Sequence, residues 1–398
     1  MSLLVSVLEG APVEARPVEV AERKGLGHPD TVCDALAEEA SLALSRWYLE
    51  RFGFVLHHNV DKVLLRGGAS RPAFGGGEML EPIEIYLAGR ATQDYRGVRV
   101  PVEELVREAC FAWLRVRLHA LEPERHVRLH CLVRPGSAAL VELFERQRRT
   151  GPRLANDTSI GVGHAPLSAL ERAVLASERA LNAAERKAAC PELGEDVKVM
   201  GVRAGERVDL TVGCAFVDRS VLDVTDYLAK RERAAEIVRS AAGGEAQVEV
   251  NAADDPAAGS LYLTVTGTSA EAGDDGQAGR GNRASGLITP GRPMTLESIA
   301  GKNPITHVGK LYNVAATRIA AALVSALEPV QEAQVLLVSR IGRPIEEPQL
   351  AELALRLADP RALEEVAPRA REIARAELGG IGDLWQELLS RNLAVDGP

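Results

Sequence analysis

Helical and strand-like segments alternate along the whole 398-residue chain, and no Pro-, Ser- or Gly-rich linker divides them. Such a chain has to pack α and β layers against each other throughout. Residues 30–52 read as an alanine- and leucine-rich helix that Asp30 or Thr31 can cap and Gly53 can stop. Residues 54–66 read as strand with a turn near Asn59, and 83–88 and 127–133 as further strands. Residues 102–121 form a predicted helix stopped by Pro123, and 167–189 a long one ended by Pro191. Residues 197–202 and 208–217 pair around an Ala-Gly-Glu turn, then 221–242 is helical and 248–250 and 261–266 are strands. A helix at 304–327, a buried-type strand at 335–339 and a mostly helical segment from about 347 complete the chain. The expected class is α+β, with mixed α/β layers in two or three sub-domains at roughly 100–200 residues each.

Composition narrows the function classes. The formal net charge is −9, from 47 basic and 56 acidic residues, a poor match to nucleic acid or an anionic membrane. No apolar run approaches the roughly 18 residues of a membrane helix, and the first residues lack the basic start of a signal peptide. Five scattered cysteines without a CxxC spacing suit reduced thiols and a cytoplasmic location. Lysine is scarce: only seven of the 47 basic residues are lysines, against 40 arginines. A surviving lysine can mark a place that needs a compact ammonium. Lys187 and Lys230, in charged helical stretches, read as ordinary surface residues.

The chemistry concentrates in polar, glycine-rich segments. In Lys24-Gly-Leu-Gly-His28-Pro-Asp30, glycines run into a helix start, a natural anion site. His28 can hydrogen-bond a phosphate oxygen and Asp30 can hold Mg²⁺, or Asp30 is only a cap and His28 a loop residue. Residues 267–293, with Asp274, Asp275, Arg280 and Arg283, are too long and polar for an ordinary connection. They can wrap a polar ligand, or form a surface loop. In Ala300-Gly-Lys302-Asn-Pro-Ile-Thr-His307-Val-Gly-Lys310, two of the seven lysines and a histidine lie within nine residues where Gly301 and Pro304 shape a turn into a helix. In Gly194-Glu-Asp196-Val-Lys198, alternate side chains share one strand face, as a site or as a surface ion pair. Asn156-Asp157 precedes a glycine-containing strand, as ligand contact or simple turn. No Walker A, GxSxG, HExxH or kinase set is present, and the Gly279-x-Gly281-x-x-Ala284 pattern lacks its helix.

In order and length these segments resemble the S-adenosylmethionine synthetase (methionine adenosyltransferase) family, in its archaeal-type branch. The resemblance spans GHPD (27–30), HHNVD (57–61), FGGGE (74–78), NDTSIGVGHAPLS (156–168), GEDVKVMGVR (194–203), the 266–294 segment and AGKNPITHVGKLYN (300–313). It implies that ATP, L-methionine and water give S-adenosylmethionine, phosphate and diphosphate. It implies Mg²⁺ as cofactor, with K⁺ used in the bacterial branch and open here. By motif order, His28, Lys198, Arg280 and Lys302 match residues on the triphosphate, and Asp30 the metal-binding aspartate. Asp157, Asp196 and Asp274 match carboxylates around methionine and nucleoside, and His307 lies where the bacterial branch has a substrate-contacting lysine.

The family fold is three intertwined sub-domains, each a sheet with helices, about a pseudo-threefold axis. Two copies pair through flat sheet faces, as a homodimer or a tetramer, with active sites between subunits. The expected division is 1–20 with 160–250, then 21–135, then 136–159 with 251–398. Three positions depart from the family pattern: Ala139 where an aspartate is common, His164 where an aromatic is usual, and Val60 where threonine is usual. The readings that compete are a substrate-shifted paralogue, a Mg²⁺-dependent triphosphatase and a non-catalytic nucleotide-binding paralogue.

Overall fold

A computed structural model describes residues 2–136 and 153–390; Ala139 lies outside the described residues. The chain opens with strands β1 (Ser2–Val7) and β2 (Val18–Lys24), helix α1 (Pro29–Phe52), strands β3 (His58–Arg66) and β4 (Ile83–Ala91), helix α2 (Val102–Arg117) and strand β5 (Val127–Arg134). Next come β6 (Ile160–Ala165), α3 (Ala169–Asn182), the hairpin β7 (Leu193–Ala204) and β8 (Arg207–Val217), α4 (Val224–Ala241) and β9 (Gln247–Val250). The last part holds the short β10 (Leu263–Thr264) and β11 (Gly276–Gln277), α5 (Val308–Ala326), β12 (Val330–Val338), β13 (Leu350–Leu357) and α6 (Leu363–Gly379).

These strands form three main sheets, in the orders β1-β13-β12-β6, β9-β8-β7-β2 with β10 added to β8, and β11-β3-β4-β5. Each sheet buries one face under two helices. Leu36 and Leu44 of α1 and Leu114 of α2 cover Val63, Leu65 and Ile85. Val174 of α3 and Val238 of α4 cover Val199 and Val212. Ile319 of α5 and Ala370 of α6 cover Val335 and Leu353. Burying a leucine of this kind stabilises by about 1.5–3 kcal/mol. The period-2 pattern sends alternate residues to the opposite faces, where Leu4, Leu64, Leu132 and Ile160 stay exposed.

The structure departs from the sequence reading in five places. Strand pairing does not follow the expected grouping of 1–20 with 160–250. β1 runs parallel to β13 and β6 antiparallel to β12, so both join the C-terminal sheet, while β2 pairs with β7. The segment after 347 begins with β13, not helix. Its Ala351, Leu353, Leu355 and Leu357 alternate into the core between β1 and β12, so tertiary pairing overrides the helix propensity of Leu, Ala and Glu. His28, not Asp30 or Thr31, caps α1: its Nδ1 accepts the Asp30 N–H at 3.1 Å, and Pro29 takes the first helical position. The 167–189 helix breaks at Ala183, which leaves the helical region. Lys187 is no ordinary surface residue: it is half-buried and donates to the Gly194 carbonyl at 2.7 Å.

A buried ion network ties the sheets together. Arg292 reaches Glu171 of α3 at 2.9 Å and Glu332 of β12 at 2.5 Å, and Glu332 also binds Arg356 of β13 at 2.8 Å. In β6, Gly161 and Gly163 let α5 lie on the strand: a Cβ on Gly163 would come within 2.3 Å of the Ala316 backbone.

Candidate active site

The site forms where β2, β7 and the 267–301 segment meet the N-terminus of α1. Gly27 allows that approach, since its N–H donates to the Glu195 carbonyl at 2.8 Å and a Cβ there would lie 2.5 Å from the Asp196 nitrogen. α1 is buried over most of its surface, and Asp30, Asp34, Glu38, Ser41 and Ser45 form one polar stripe along it. Their spacing of three and four residues stacks them along one face. The three acids pin the glycine-rich segment. Asp30 Oδ1 accepts the Gln277 N–H at 2.9 Å, Asp34 Oδ1 accepts the Gly279 N–H at 2.9 Å, and Glu38 Oε2 accepts the Gly301 N–H at 2.9 Å. The start of the segment is fixed by Glu271, whose carboxylate accepts the N–H groups of Val265 at 2.7 Å and Thr266 at 2.6 Å.

His28 stands at the centre of a first cluster. Burial holds its imidazole at about 4, well below the usual 6.5. Asp30 opposes that shift, and Lys24, Lys198 and Arg280 reinforce it by charge. The ring is therefore neutral near pH 7. Because Nδ1 accepts the Asp30 N–H, the proton sits on Nε2, giving a neutral hydrogen-bond donor. Asp30 is pulled two ways: burial raises it, while Lys24 (2.8 Å) and the Gln277 N–H lower it, and the net shift is downward. Lys198 faces Lys24 across the β7–β2 register and pairs with Glu22 at 3.3 Å. Asp196 is buried beside this cluster. Its Oδ2 accepts from the Ser269 N–H and hydroxyl at 2.8 and 2.6 Å and from Tyr262 at 3.2 Å. Burial pushes it up to about 6, helped by the charge of exposed Asp274.

A second cluster lies farther along α1. Lys302 binds Asp61 at 2.8 Å and Glu297 at 3.3 Å. Lys310 reaches both oxygens of Glu38 at 2.7 Å with no exposure. His307 caps α5 through the Gly309 N–H, and burial takes its imidazole down to about 3. Asp61 falls to about 2: burial would raise it, but Lys302 and then Lys62 prevail.

Of the residues singled out from sequence, His28, Asp30, Lys198 and Arg280 come together, with Asp196 and Asp274 alongside. Lys302 and His307 form the second group. Asp157 stands apart and exposed, accepting the neighbouring Thr158 N–H at 2.7 Å, though Asn156 donates to the Thr306 carbonyl at 3.4 Å. Sequence reasoning assigned no role to Lys24, Asp34, Glu38, Asp61 or Lys310. The four-residue spacing of the three acids and the scarcity of lysine were the available signals.

Among the described residues no group of three or more His, Cys, Asp or Glu side chains could hold a metal ion. Asp30 suits a single ligand to Mg²⁺ arriving on phosphates, because each carboxylate oxygen keeps a lone pair beyond its one hydrogen bond. No helix among the described residues is long and apolar enough to cross a membrane.

The chain is 52% identical over 400 residues to a probable S-adenosylmethionine synthase of Aquifex aeolicus, covering 99% of both chains. It is 49% identical over 402 residues to the S-adenosylmethionine synthase of Aeropyrum pernix, covering 98% of both. Its fold matches a solved structure described as an unusual S-adenosylmethionine synthetase from Campylobacter jejuni, with TM-score 0.61 at 14% identity and 94% of both chains covered. The profile of the S-adenosylmethionine synthetase (AdoMet synthetase) family matches residues 1–392, and the chain belongs to that family.

Proposed function

We propose that the protein is a methionine adenosyltransferase. It converts ATP, L-methionine and water to S-adenosyl-L-methionine, phosphate and diphosphate. The methionine sulfur attacks C5′ of ATP, and the tripolyphosphate left behind is hydrolysed before release. The observation that carries this reading is the neutral, tautomer-fixed His28 set among three cations at a helix N-terminus.

That arrangement answers the chemistry. A thioether has no proton to lose, so the first step needs no general base. Charge builds instead on the departing O5′ and on a polyanion. His28 donates from Nε2 toward that oxygen without giving up a full proton. Lys198 and Arg280 hold the triphosphate by charge, and the glycine-rich segment pinned on α1 positions it. Asp30 would hold Mg²⁺, which when bound neutralises phosphate charge. Asp196 and Asp274 frame the nucleoside and the methionine ammonium.

Lys302, His307 and Asp157 complete the site from a second copy of the chain. The exposed Leu4, Leu64, Leu132 and Ile160 on the open sheet faces support pairing of two copies there. The five free thiols, four of them buried, fit a reducing cytoplasm. The test is product analysis with ATP, L-methionine and Mg²⁺, with and without K⁺. S-adenosylmethionine, phosphate and diphosphate should appear in equal amounts. Phosphate release without a sulfonium would replace this reading with a triphosphatase or a different acceptor.

A further inference from the structure

We propose that Lys24 is a polyphosphate-binding residue of this site: it holds the carboxylate of Asp30 and the backbone of Arg280 with two N–H groups and offers the third to a phosphate oxygen. The inference rests on the reading of the site as a triphosphate pocket.

Lys24 is the last residue of β2 and the start of the turn into α1. Its ammonium donates to Asp30 Oδ2 at 2.8 Å and to the Arg280 carbonyl at 2.8 Å. An ammonium has three N–H groups, and among the described residues the third has no partner. The side chain retains 12% exposure, so this group is not sealed in the core. The backbone around it is fixed as well: Asn282 accepts from the Lys24 N–H at 3.0 Å and donates to its carbonyl at 2.7 Å.

Other cations stand close by. Lys24 and Lys198 are register partners on one sheet face, and both, with Arg280, act by charge on His28. Asp30 and Glu22 are the carboxylates paired with these two lysines. Three cations gathered at the N-terminus of α1 suit a polyanion.

The experiment is equilibrium binding of inorganic tripolyphosphate to the full-length protein in EDTA, with thermal midpoints recorded in parallel. Lys24→Gln removes the charge and retains two N–H donors on a side chain one bond shorter. It should weaken tripolyphosphate roughly 10–100-fold, the usual weight of a charge-assisted contact. Lys24→Arg should recover most of that loss. Lys230→Met removes a lysine paired with Asp226 away from the site, and should bind like the unmodified protein. Unchanged affinity in Lys24→Gln, with or without a lower midpoint, would overturn the assignment and leave Lys24 a clamp. If the unmodified protein binds no tripolyphosphate, the pocket reading itself falls, and this inference with it.

Discussion

Replacing one partner of the Glu38–Lys310 pair should unfold far more than the local contact. The ammonium of Lys310 meets both carboxylate oxygens at 2.7 Å, and the two side chains are 0% and 9% exposed. At an effective dielectric near 20, attraction at that distance is about 6 kcal/mol. Stripping water from both ions costs several kcal/mol each, so the pair is close to neutral overall. Removing one charge leaves the desolvation cost without its compensation. Lys310→Met strands a buried carboxylate that keeps, among the described residues, only the Gly301 N–H, and Glu38→Gln strands a buried ammonium. Each single change should cost about 3–5 kcal/mol. The double variant Glu38→Gln/Lys310→Met should return to within about 1 kcal/mol of the starting protein, because the introduced amide oxygen can still accept the Gly301 N–H. Urea unfolding of the four proteins measures the cycle. Single variants that lose under 1 kcal/mol, or a double whose loss equals the sum of the singles, would refute the reasoning.

Three further outcomes follow from the packing. His164 Nε2 is buried without a hydrogen-bond partner among the described residues and lines a cavity with Thr289 and Met294, so His164→Phe should raise the thermal midpoint by the equivalent of about 1 kcal/mol. A lower midpoint would contradict this. Gly163→Ala should destabilise by about 3 kcal/mol or more by driving α5 off β6, while Gly213→Ala, with open space at its Cβ, serves as a tolerated control. Equal midpoints for the two would contradict the close approach. Stability should fall with acid: burial lowers His28 and His164 to about 4 and His58 and His307 to about 3, so below 6.5 the unfolded chain takes up protons that the folded chain refuses. His57 and His126 are lowered by burial too, making six histidines. Asp34 and Asp196, raised to about 6 by burial, Glu271, raised by burial, and His119, raised by its hydrogen bond to Glu195, work the other way, four against six. A midpoint that holds steady or rises between pH 7 and 4.5 would contradict this balance.

The Gly-rich turn with His28 and Asp30 marked a helix start but, by spacing alone, read equally as a cap and a loop; the family resemblance named the cluster, and the fold brings His28, Asp30, Lys198 and Arg280 together. α1 was legible too: its composition and Gly53, left-handed at φ 79°, mark its span. The cap was misjudged because a histidine is an uncommon one. β13 was hidden by residues that favour helices; only its partners β1 and β12 make its period-2 pattern decisive. No local signal could join β1 to β13 across nearly the whole chain. Asp34 and Glu38 carry no local mark of a role, and only the backbone of the glycine-rich segment lying on α1 shows what they hold. Lys302, His307 and Asp157 share motifs with the family but not a location with His28 in one chain.

The most direct measurement is steady-state S-adenosylmethionine synthesis by His28→Asn. Asparagine is a favoured helix cap, so it can keep the Asp30 N–H contact and the start of α1. What it loses is the Nε2–H donor. If that donor stabilises charge on O5′, kcat should drop roughly 100–1000-fold while KM for ATP and L-methionine stays within about threefold. An unchanged kcat, or a loss confined to KM, would contradict the role assigned to His28 and the electrostatic mechanism built around it.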